Sequence, residues 1–367
     1  MAKIKLVAIA KDEGAYLADW IFHHLYFGFD EIEVHINRSS DNTEEITKLI
    51  GSKCSKVRFI NANWVDIAPD TVRRVMQYTI YSEAYWRAKY EEDFSHICFL
   101  DIDEFWTPRD FSSSIHHLIE SLGVFSTLSF GWINLINESE FQSYPRSFKG
   151  YKDTAVKSII NLDSPITRMQ LHLPEFDQSG SNFDGSILAD GSNIECPPKQ
   201  PQHLTANLRD KDYPAYIHHR MFRSQLEYTA LLLRGNPRGN TPFKMNRPGY
   251  VKNHAKLIQI EHDENAYNKY EQARTEFTQN LQIKDAINNA QEFIRTKAED
   301  SINALEYGVN NTKPEFYEGL VRIFNNLDND RVKIARQAIL SKTKTVKHVS
   351  SKVNKKTFKS VLKKLMR

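Results

Sequence analysis

The stretch HICFLDIDEFW, residues 96–106, joins an apolar run directly to three acids. The apolar half is typical of a buried strand, because a strand covered on both faces is apolar throughout. Side chains two positions apart on a strand point to the same side, so we expect Asp101 and Asp103 to present their carboxylates together. Leu100 and Ile102 are then expected in the core.

Strands and helices alternate across the first hundred residues. Apolar runs and helical periodicity favour, in order, strand 4–10, helix 15–29, strand 31–36, helix 39–51, strand 56–60, helix 72–90 and strand 96–101. This order predicts an α/β protein with a mostly parallel, doubly wound sheet flanked by helices. Ligands of such sheets lie outside the carboxyl ends of the strands. The acids that follow the last of these strands fall at that edge.

The rest of the chain is less regular. Strand-like runs occupy 126–135 and 154–162, and helical patterns occupy 222–235 and 263–327, with a break near 310–314. Residues 174–202 are rich in Gly, Ser, Asn, Asp and Pro, and a loop of that length is usually functional or disordered, so we expect a lid or an acceptor loop. We therefore predict three parts, namely a catalytic domain at 1–260, a helical extension at 261–330 and a basic tail at 331–367.

Composition indicates a soluble globular protein, with 40% hydrophobic and 26% charged residues among 367. No apolar run approaches the length that spans a bilayer. Cys54, Cys98 and Cys196 are widely spaced and form no CxxC pair. This spacing argues for a reducing compartment and against both a disulfide framework and a zinc site.

The positive charge is concentrated in the tail. Residues 331–367 hold 13 of the 49 Lys and Arg residues and no Asp or Glu, which leaves 36 basic against 46 acidic residues in the body. An apolar stripe at helical spacing within 358–365 makes the tail a basic amphipathic helix, which is typical of an anchor on an anionic membrane. Each basic residue near such a surface contributes about 1 kcal/mol. A disordered tail and a nucleic-acid arm are the alternatives, but an acidic body argues against nucleic acid.

Two carboxylates at a strand end suit a divalent cation. Asp101 and Asp103 offer hard oxygen ligands of the kind that Mg²⁺ and Mn²⁺ prefer, with the other positions left to water or to a substrate phosphate. Such a cation neutralises a diphosphate leaving group as a Lewis acid. The alternative is an acidic turn solvated at the strand end.

Four motifs in order resemble glycosyltransferases of the GT-A fold, especially the family-2-like and family-92-like groups. These families share a first strand followed by K-N/D-E, an aliphatic-aromatic helix, a D-N-x-S-x-D-x-T loop and a later D-x-D-E-F. The corresponding segments are AIAKDEGAYLADWIFHHLYFGFDEI at 8–32, INRSSDNT at 36–43 and LDIDEFW at 100–106. The resemblance covers residues 4–106, and continues weakly through 156–160, His172 and 215–235. It implies a GT-A (Rossmann-like) sheet with a helical C-terminal extension.

The resemblance also implies roles for residues of the first half. Asp101 and Asp103 would bind the metal and the nucleotide diphosphate, and Glu13 and Asp41 would lie near the base and ribose. Glu13 has an alternative as an acid in the first turn of a helix, where the dipole favours it. Asp41 has an alternative as a helix N-cap in a capping-box-like pair three residues before an acid.

Base recognition departs from the family pattern. Ile36 stands where these families have the first Asp of the loop, which leaves Asn37 or Asp41 to meet the base. The family's long helix has polar positions that match Arg74 and Gln77, which would reach the donor sugar or its phosphates. The alternative for both is the solvated face of an amphipathic helix.

Later residues match the family more loosely. Lys157 and His172 match a recurring Lys and His, although a Lys in a strand usually extends toward solvent at the sheet edge. His218 is the predicted third ligand of the metal or diphosphate, with His219 as the substitute, because neutral imidazole is a common ligand. A structural His pair is the alternative.

A transfer that inverts the anomeric centre, as the resemblance implies, needs a general base near the acceptor hydroxyl. Glu227 is the first choice because it matches the family's recurring Glu. Glu104, which could also support the metal site, and Asp177 and Asp184 are the other candidates.

The resemblance thus implies a metal-dependent glycosyltransferase that takes sugar from a nucleotide sugar, with a UDP-sugar favoured, and transfers it to a glycan or lipid-linked acceptor in surface polysaccharide synthesis. We expect it in the cytoplasm, at the inner face of the cell membrane. One alternative is an inactive carbohydrate- or nucleotide-binding module of the same fold. A glycoside hydrolase using Asp103 and Glu104 is disfavoured, because adjacent strand residues point apart. Phosphoryl transfer is disfavoured because no GxxxxGK[ST] loop occurs.

Overall fold

The computed structural model describes residues 2–176, 185–235 and 242–343. The chain forms two compact units. The first comprises Met1–Arg223 and Asn253–Phe293, and the second comprises Ser224–Lys252 and Ile294–Arg367. This division does not coincide with the predicted boundaries after residues 260 and 330.

Strands and helices alternate in the first part of the first unit, as the sequence predicts. The elements are β1 (Ile4–Ala10), α1 (Gly14–Tyr26), β2 (Glu31–Ile36), α2 (Thr43–Lys53), β3 (Val57–Asn61), α3 (Asp70–Arg73), α4 (Met76–Tyr90) and β4 (His96–Phe99). The predicted continuous helix at 72–90 is wrong, because α3 and α4 are separate helices. A 3-10 turn at Asn63–Ile67 follows β3.

The remaining elements are strands interspersed with helices, and the last three are helices. They are β5 (Glu104–Pro108), α5 (Ile115–Leu122), β6 (Thr127–Leu135), β7 (Ser147–Asn161), β8 (Ile166–Arg168), β9 (Glu175–Phe176), β10 (Ser186–Leu188), α6 (Ala206–Arg209), β11 (Ala215–His219), α7 (Gln225–Leu232), β12 (Ile258–Glu261), α8 (Glu264–Leu281), α9 (Lys284–Asn311) and α10 (Tyr317–Ile323). A break after α9 agrees with the predicted one, and Gln282, in the left-handed conformation, adds a second break between α8 and α9.

The described strands of the first unit form a ten-stranded mixed sheet. Its order is β3-β2-β1-β4-β7-β6-β11-β5, with β10 paired to β6 and β12 paired to β7. The first four strands are parallel, whereas β7 is antiparallel to both β4 and β6. The predicted α/β class, with a mostly parallel sheet and a helical C-terminal part, is confirmed.

Helices cover both faces of the parallel strands. Leu6 and Ala8 of β1 enter the cluster that includes Leu17 of α1, whereas Val7, between them, enters the cluster that includes Tyr81 of α4. This alternation follows from the two-residue period of a strand. It explains why buried apolar side chains occupy both faces of β1, and it leaves the carboxyl edge of β1, β2, β3 and β4 for polar side chains.

The start of the predicted tail is folded. Residues 330–343 are helical, and Val332, Ala335 and Ile339 are buried. The apolar stripe at 358–365 lies outside the described residues, so membrane attachment through it stays a prediction. Among the helices that the structure describes, none is both long enough and apolar enough to cross a bilayer.

Candidate functional site

The acids after β4 lie on a turn between two strands. β4 ends at Phe99 and β5 begins at Glu104, and the Glu104 amide donates to the Asp101 carbonyl at 3.0 Å across the turn. Leu100 and Ile102 are buried, as predicted. The expectation that Asp101 and Asp103 share one side of a strand is wrong, because a turn holds them both.

Glu104 closes this turn from inside the protein. Its side chain is fully buried, and its Oε2 accepts a hydrogen bond from the Asp101 amide at 2.8 Å. The same oxygen lies 3.1 Å from Nζ of Lys157 on β7. Burial raises the pKa of the Glu104 carboxyl, and the Lys157 ammonium opposes that rise. These contacts favour the predicted alternative, in which Glu104 supports the metal site, and its role as the general base stays a prediction.

Asp101 is held from two sides. Its Oδ1 accepts from Nε2 of Gln77 at 3.2 Å, and its Oδ2 lies 3.4 Å from Nζ of Lys157. The Gln77 amide also donates to the Tyr81 hydroxyl at 3.0 Å. Burial lowers the pKa of Lys157, but the carboxylates of Asp101 and Glu104 outweigh it and hold that pKa well above its usual value. The structure thus brings together two predicted donor-binding residues, Gln77 and Lys157, around Asp101.

His219, and not His218, lies beside the acids. Nε2 of His219 is 3.9 Å from Oδ2 of Asp103. His218 faces the opposite way, because neighbouring residues of β11 alternate, and its ring packs against Phe105, Tyr144 and Phe148. This placement favours His219, the predicted substitute, over His218 as the third ligand, and the ligand itself stays a prediction.

His218 is a neutral imidazole in an aromatic cluster. Both of its ring nitrogens are buried without a hydrogen-bond partner. Burial lowers its pKa well below the usual value, and the nearby Arg220 acts in the same direction. His24, also fully buried, has its pKa lowered to about 3 by burial. Because such groups bind a proton only when the chain unfolds, the free energy of unfolding falls as the pH drops below about 6.5.

We therefore expect His218→Phe to stabilise the protein and to flatten its acid sensitivity. The stabilisation at pH 7 is about 1–3 kcal/mol, because two unpaired buried nitrogens are removed. The dependence of the free energy of unfolding on pH below 6.5 should fall by about 1.4 kcal/mol per pH unit. Urea unfolding at pH 7.5 and 5.5 measures both, with exposed His117→Gln as the control that should change neither. A destabilised His218→Phe protein would contradict the prediction.

Glu13 pairs with the segment that follows β11. Its Oε2 accepts from the Arg223 guanidinium at 3.0 Å, and that guanidinium lies 3.5 Å from the centre of the Tyr16 ring. Glu13 precedes α1, at the carboxyl end of β1, as predicted. The ion pair therefore ties the β11 end to the β1 end of the same edge.

Asp41 joins the starts of two helices. Its Oδ2 accepts from the Gly14 amide at 2.9 Å, and its Oδ1 accepts from the Thr43 amide at 3.0 Å. Asn42 is the N-cap residue of α2, so Asp41 acts one position before the cap. Asp41 is therefore not the N-cap, but its contacts support the starts of α1 and α2 and place it next to the carboxyl ends of β1 and β2.

The approach of Asp41 to α1 requires glycine at position 14. A Cβ there would lie 2.9 Å from Oδ2 of Asp41 and 3.1 Å from Cδ1 of Ile46. We expect Gly14→Ala to lower the free energy of unfolding by about 1–3 kcal/mol through overpacking.

Gly51→Ala is the matched control for Gly14→Ala. Gly51 lies inside α2, where a Cβ would make ordinary contact at 3.7 Å with Phe59. Alanine there should stabilise the protein by up to about 1 kcal/mol through helix propensity. Denaturant unfolding of both variants measures the contrast, and equal effects would contradict the close approach.

The other predicted donor-side residues lie further along this edge. Asn37, which is buried, donates from Nδ2 to the Ala62 carbonyl at 3.2 Å and so ties the end of β2 to the end of β3. Arg74 is exposed at the end of α3. Nδ1 of His172 donates to the Val156 carbonyl at 2.8 Å, and burial lowers the pKa of His172 to about 4.

Glu227 belongs to the second unit and has a capping role there. It forms a capping box with Ser224, in which the Ser224 amide donates to Oε2 of Glu227 at 3.2 Å. This contact accounts for a buried acid at that position. The two remaining candidates for the base, Asp177 and Asp184, lie outside the described residues.

The positions of Asp103 and His219 are compatible with a shared divalent cation whose remaining ligands are substrate oxygens. Among residues 2–176, 185–235 and 242–343, no group of three or more His, Cys, Asp and Glu side chains is placed to hold a metal. Mg²⁺ is nevertheless commonly held by only one or two carboxylates together with substrate phosphates, and neutral imidazole is a common metal ligand. The separation of 3.9 Å is slightly less than twice a metal–ligand distance of about 2.1 Å. A cation can therefore contact both groups.

The sequence prediction missed three residues around His219. Asn134 contacts Nδ1 of His219 at 2.7 Å, Asp153 contacts Asn134 at 2.8 Å, and Trp132 packs on the His219 ring with the centroids 4.1 Å apart. Asn134 is a fully buried amide within the apolar strand β6. A polar residue in such a run was the available signal.

Comparisons with known proteins give low similarity. No protein-family model matches the chain, and no curated protein matches it. Solved structures that it resembles include glucosyl-3-phosphoglycerate synthase from Mycobacterium tuberculosis, in complex with Mn²⁺, UDP and glucosyl-3-phosphoglycerate, at 17% identity and TM-score 0.24. HddC from Yersinia pseudotuberculosis is similar at 14% identity and TM-score 0.31, and an active-site mutant of LgtC at 18% and 0.23. In that order, the matches cover 36%, 51% and 43% of this chain and 44%, 90% and 57% of those chains. The chain therefore spans less than half the length of the synthase.

Proposed function

We propose that the first unit is a metal-dependent glycosyltransferase that moves a sugar from a nucleotide-sugar donor, with a UDP-sugar favoured, to a glycan or lipid-linked acceptor. The observation that carries the proposal is the pairing of Asp103 with His219 beside Asp101. Asp101 and Asp103 follow the carboxyl end of β4, one of four neighbouring parallel strands, and parallel strands bind ligands at that end. The motif order in the sequence adds the nucleotide-sugar class.

Each residue of the edge has a part in this proposal. Asp103 and His219 would hold Mn²⁺ or Mg²⁺ together with the donor diphosphate, and the cation would neutralise the leaving group when bound. Asp101, oriented by Gln77 and Lys157, would face the donor from the same turn. Asn37, Asp41 and Glu13 would border the nucleoside along the ends of β1 and β2, with Arg74 near the donor phosphates.

Four further expectations from the sequence analysis stay predictions. These are inversion at the anomeric carbon, Glu227 as the general base, surface polysaccharide as the product, and membrane attachment through the basic tail. For the tail, flotation of the full-length chain with vesicles is the test. A chain that stays at the bottom, with and without anionic lipid, would contradict it.

Thermal stability against a panel of nucleotides tests the proposed activity. UDP, GDP, CMP and dTDP, with their sugars, are each tried with and without Mn²⁺. We expect one nucleotide to raise the melting temperature only when metal is present, and its sugar to be hydrolysed or transferred. Binding without turnover would favour the inactive module, and the absence of any response would contradict the donor site.

A further inference from the structure

We propose that Asn134 and Asp153 form a positioning relay that fixes the tautomer of His219 and so presents its Nε2 lone pair toward Asp103. The inference rests on the proposed function, because it supplies the state of His219 that a metal requires. Neither residue belongs to a sequence motif, and neither contacts the proposed ligand. They act through His219, so they are positioning residues.

The chain of contacts begins at a carboxylate. Oδ2 of Asp153 lies 2.8 Å from the Asn134 side-chain amide. An ionised carboxylate only accepts hydrogen bonds, so the atom of Asn134 that faces it must be the NH₂ group. This contact determines the orientation of the Asn134 amide.

The orientation of Asn134 then determines the proton on His219. With the NH₂ group turned to Asp153, the amide oxygen faces Nδ1 of His219 at 2.7 Å. That oxygen only accepts, so Nδ1 must carry the hydrogen. A neutral imidazole has one N–H, and Nε2 is left as the acceptor. This is the nitrogen that lies 3.9 Å from Oδ2 of Asp103.

The strands hold the relay rigidly. His219 and Asn134 are direct neighbours in the register of β11 and β6, and Trp132 packs on the imidazole. β7 is irregular at this point, because Ile133 pairs with Lys152 whereas Gly131 pairs with Val156.

Asp153 lies in this irregular part of β7, which has three residues opposite the single residue of β6. Bulges of this kind redirect side chains beside active sites. The second oxygen of Asp153 accepts from the Ala155 amide at 3.2 Å, which anchors the carboxylate.

Supporting groups of this kind affect metal binding strongly. A ligand histidine usually donates its other N–H to an oxygen, and losing that partner weakens metal affinity by about 10–100-fold. We expect Asn134→Leu to raise the dissociation constant for Mn²⁺ in the presence of UDP by this factor. Asp153→Asn should have a smaller effect in the same direction, because its amide can turn either way.

Two measurements test the proposal. One identifies the tautomer of His219, and the other gives the affinity for Mn²⁺. ¹⁵N NMR of the full chain, with the His219 signal assigned by its loss in His219→Gln, shows which ring nitrogen is protonated. We expect Nδ1–H in the unmodified protein without metal, and loss of this single form in Asn134→Leu. Titration with Mn²⁺ in the presence of UDP gives the dissociation constants.

Two further variants keep the result interpretable. Asn134→Asp combined with Asp153→Asn exchanges acceptor and donor, so position 134 still accepts from His219, and both the tautomer and the affinity should recover. Ser129→Ala removes a buried hydrogen bond to Ser158 at 2.8 Å from the same two strands, and it should change neither.

The outcomes separate the relay from the activity. A protonated Nε2 in the unmodified protein, or an unchanged tautomer and affinity in Asn134→Leu, would overturn the relay. A protein that shows the Nδ1–H form, and loses it in Asn134→Leu, but binds neither Mn²⁺ nor UDP would support the relay and overturn the proposed function.

Discussion

Asp103→Ala is expected to abolish the stabilisation of the protein by a nucleotide with metal, and to lower turnover by about a thousandfold. Oδ2 of Asp103 lies 3.9 Å from Nε2 of His219, so its loss removes a carboxylate from the proposed metal site. A Lewis-acid cation contributes several kcal/mol to a developing charge, and about 4 kcal/mol corresponds to a thousandfold change in rate. Scanning fluorimetry with UDP, with and without Mn²⁺, and assay of donor turnover measure the two effects.

The result is informative only if the Asp103→Ala variant folds as the unmodified protein does. The side chain of Asp103 is partly exposed, so its removal should leave the melting temperature of the free protein nearly unchanged. Asp163→Ala removes an exposed carboxylate of the same unit outside the site, and it should keep the metal-dependent shift. An Asp103→Ala protein that still responds to nucleotide only with Mn²⁺ would exclude Asp103 as a ligand.

Local patterns predicted the first half of the fold well. β1, β2, β3 and β4 and the helices between them follow from runs of adjacent residues, and each run is long enough to show its period. The edge that carries the site follows from the parallel order. Asp101 and Asp103 could therefore be placed at the right edge before any contact was known.

The sequence does not show in the same way which residues of β11 face the site. His218 and His219 are adjacent, and a shift of one residue exchanges the buried face of a strand for the other. Ile217 and His219 align with Trp132 and Asn134 of β6, a pairing between residues more than eighty positions apart. The pattern AYIHH contains no signal that decides which imidazole meets the acids.

Contacts between residues that lie far apart along the chain could not be predicted from the sequence either. Lys157 meets Glu104 across 53 positions, and the relay through Asn134 and Asp153 depends on an irregular register in β7. The acid at position 104 was predicted to act in catalysis because of its type and place. Its burial, which the sequence does not reveal, favours the alternative role as a support of the metal site.

Lys157→Met is expected to lower the free energy of unfolding by about 3–5 kcal/mol at neutral pH, because it leaves Glu104 buried without its cationic partner. Both side chains are at most 2% exposed, and Oε1 of Glu104 already lacks a hydrogen-bond partner. Burial raises the pKa of the Glu104 carboxyl, and without Lys157 only the hydrogen bond from the Asp101 amide opposes that rise. The carboxyl then stays protonated in the folded variant.

The pH dependence of Lys157→Met distinguishes this cause from simple loss of packing. A carboxyl whose pKa is raised on folding supports the folded state fully below its unfolded pKa of about 4.3, and loses that support by about 1.4 kcal/mol per pH unit above it. The destabilisation should therefore be smaller at pH 5.5 than at pH 7.5 in urea unfolding. Adding Glu104→Leu, which replaces the pair by apolar side chains, should recover most of the stability at pH 7.5. An equal loss at both pH values, with no recovery in the double variant, would show that Lys157 stabilises the protein by its packing and not by its charge.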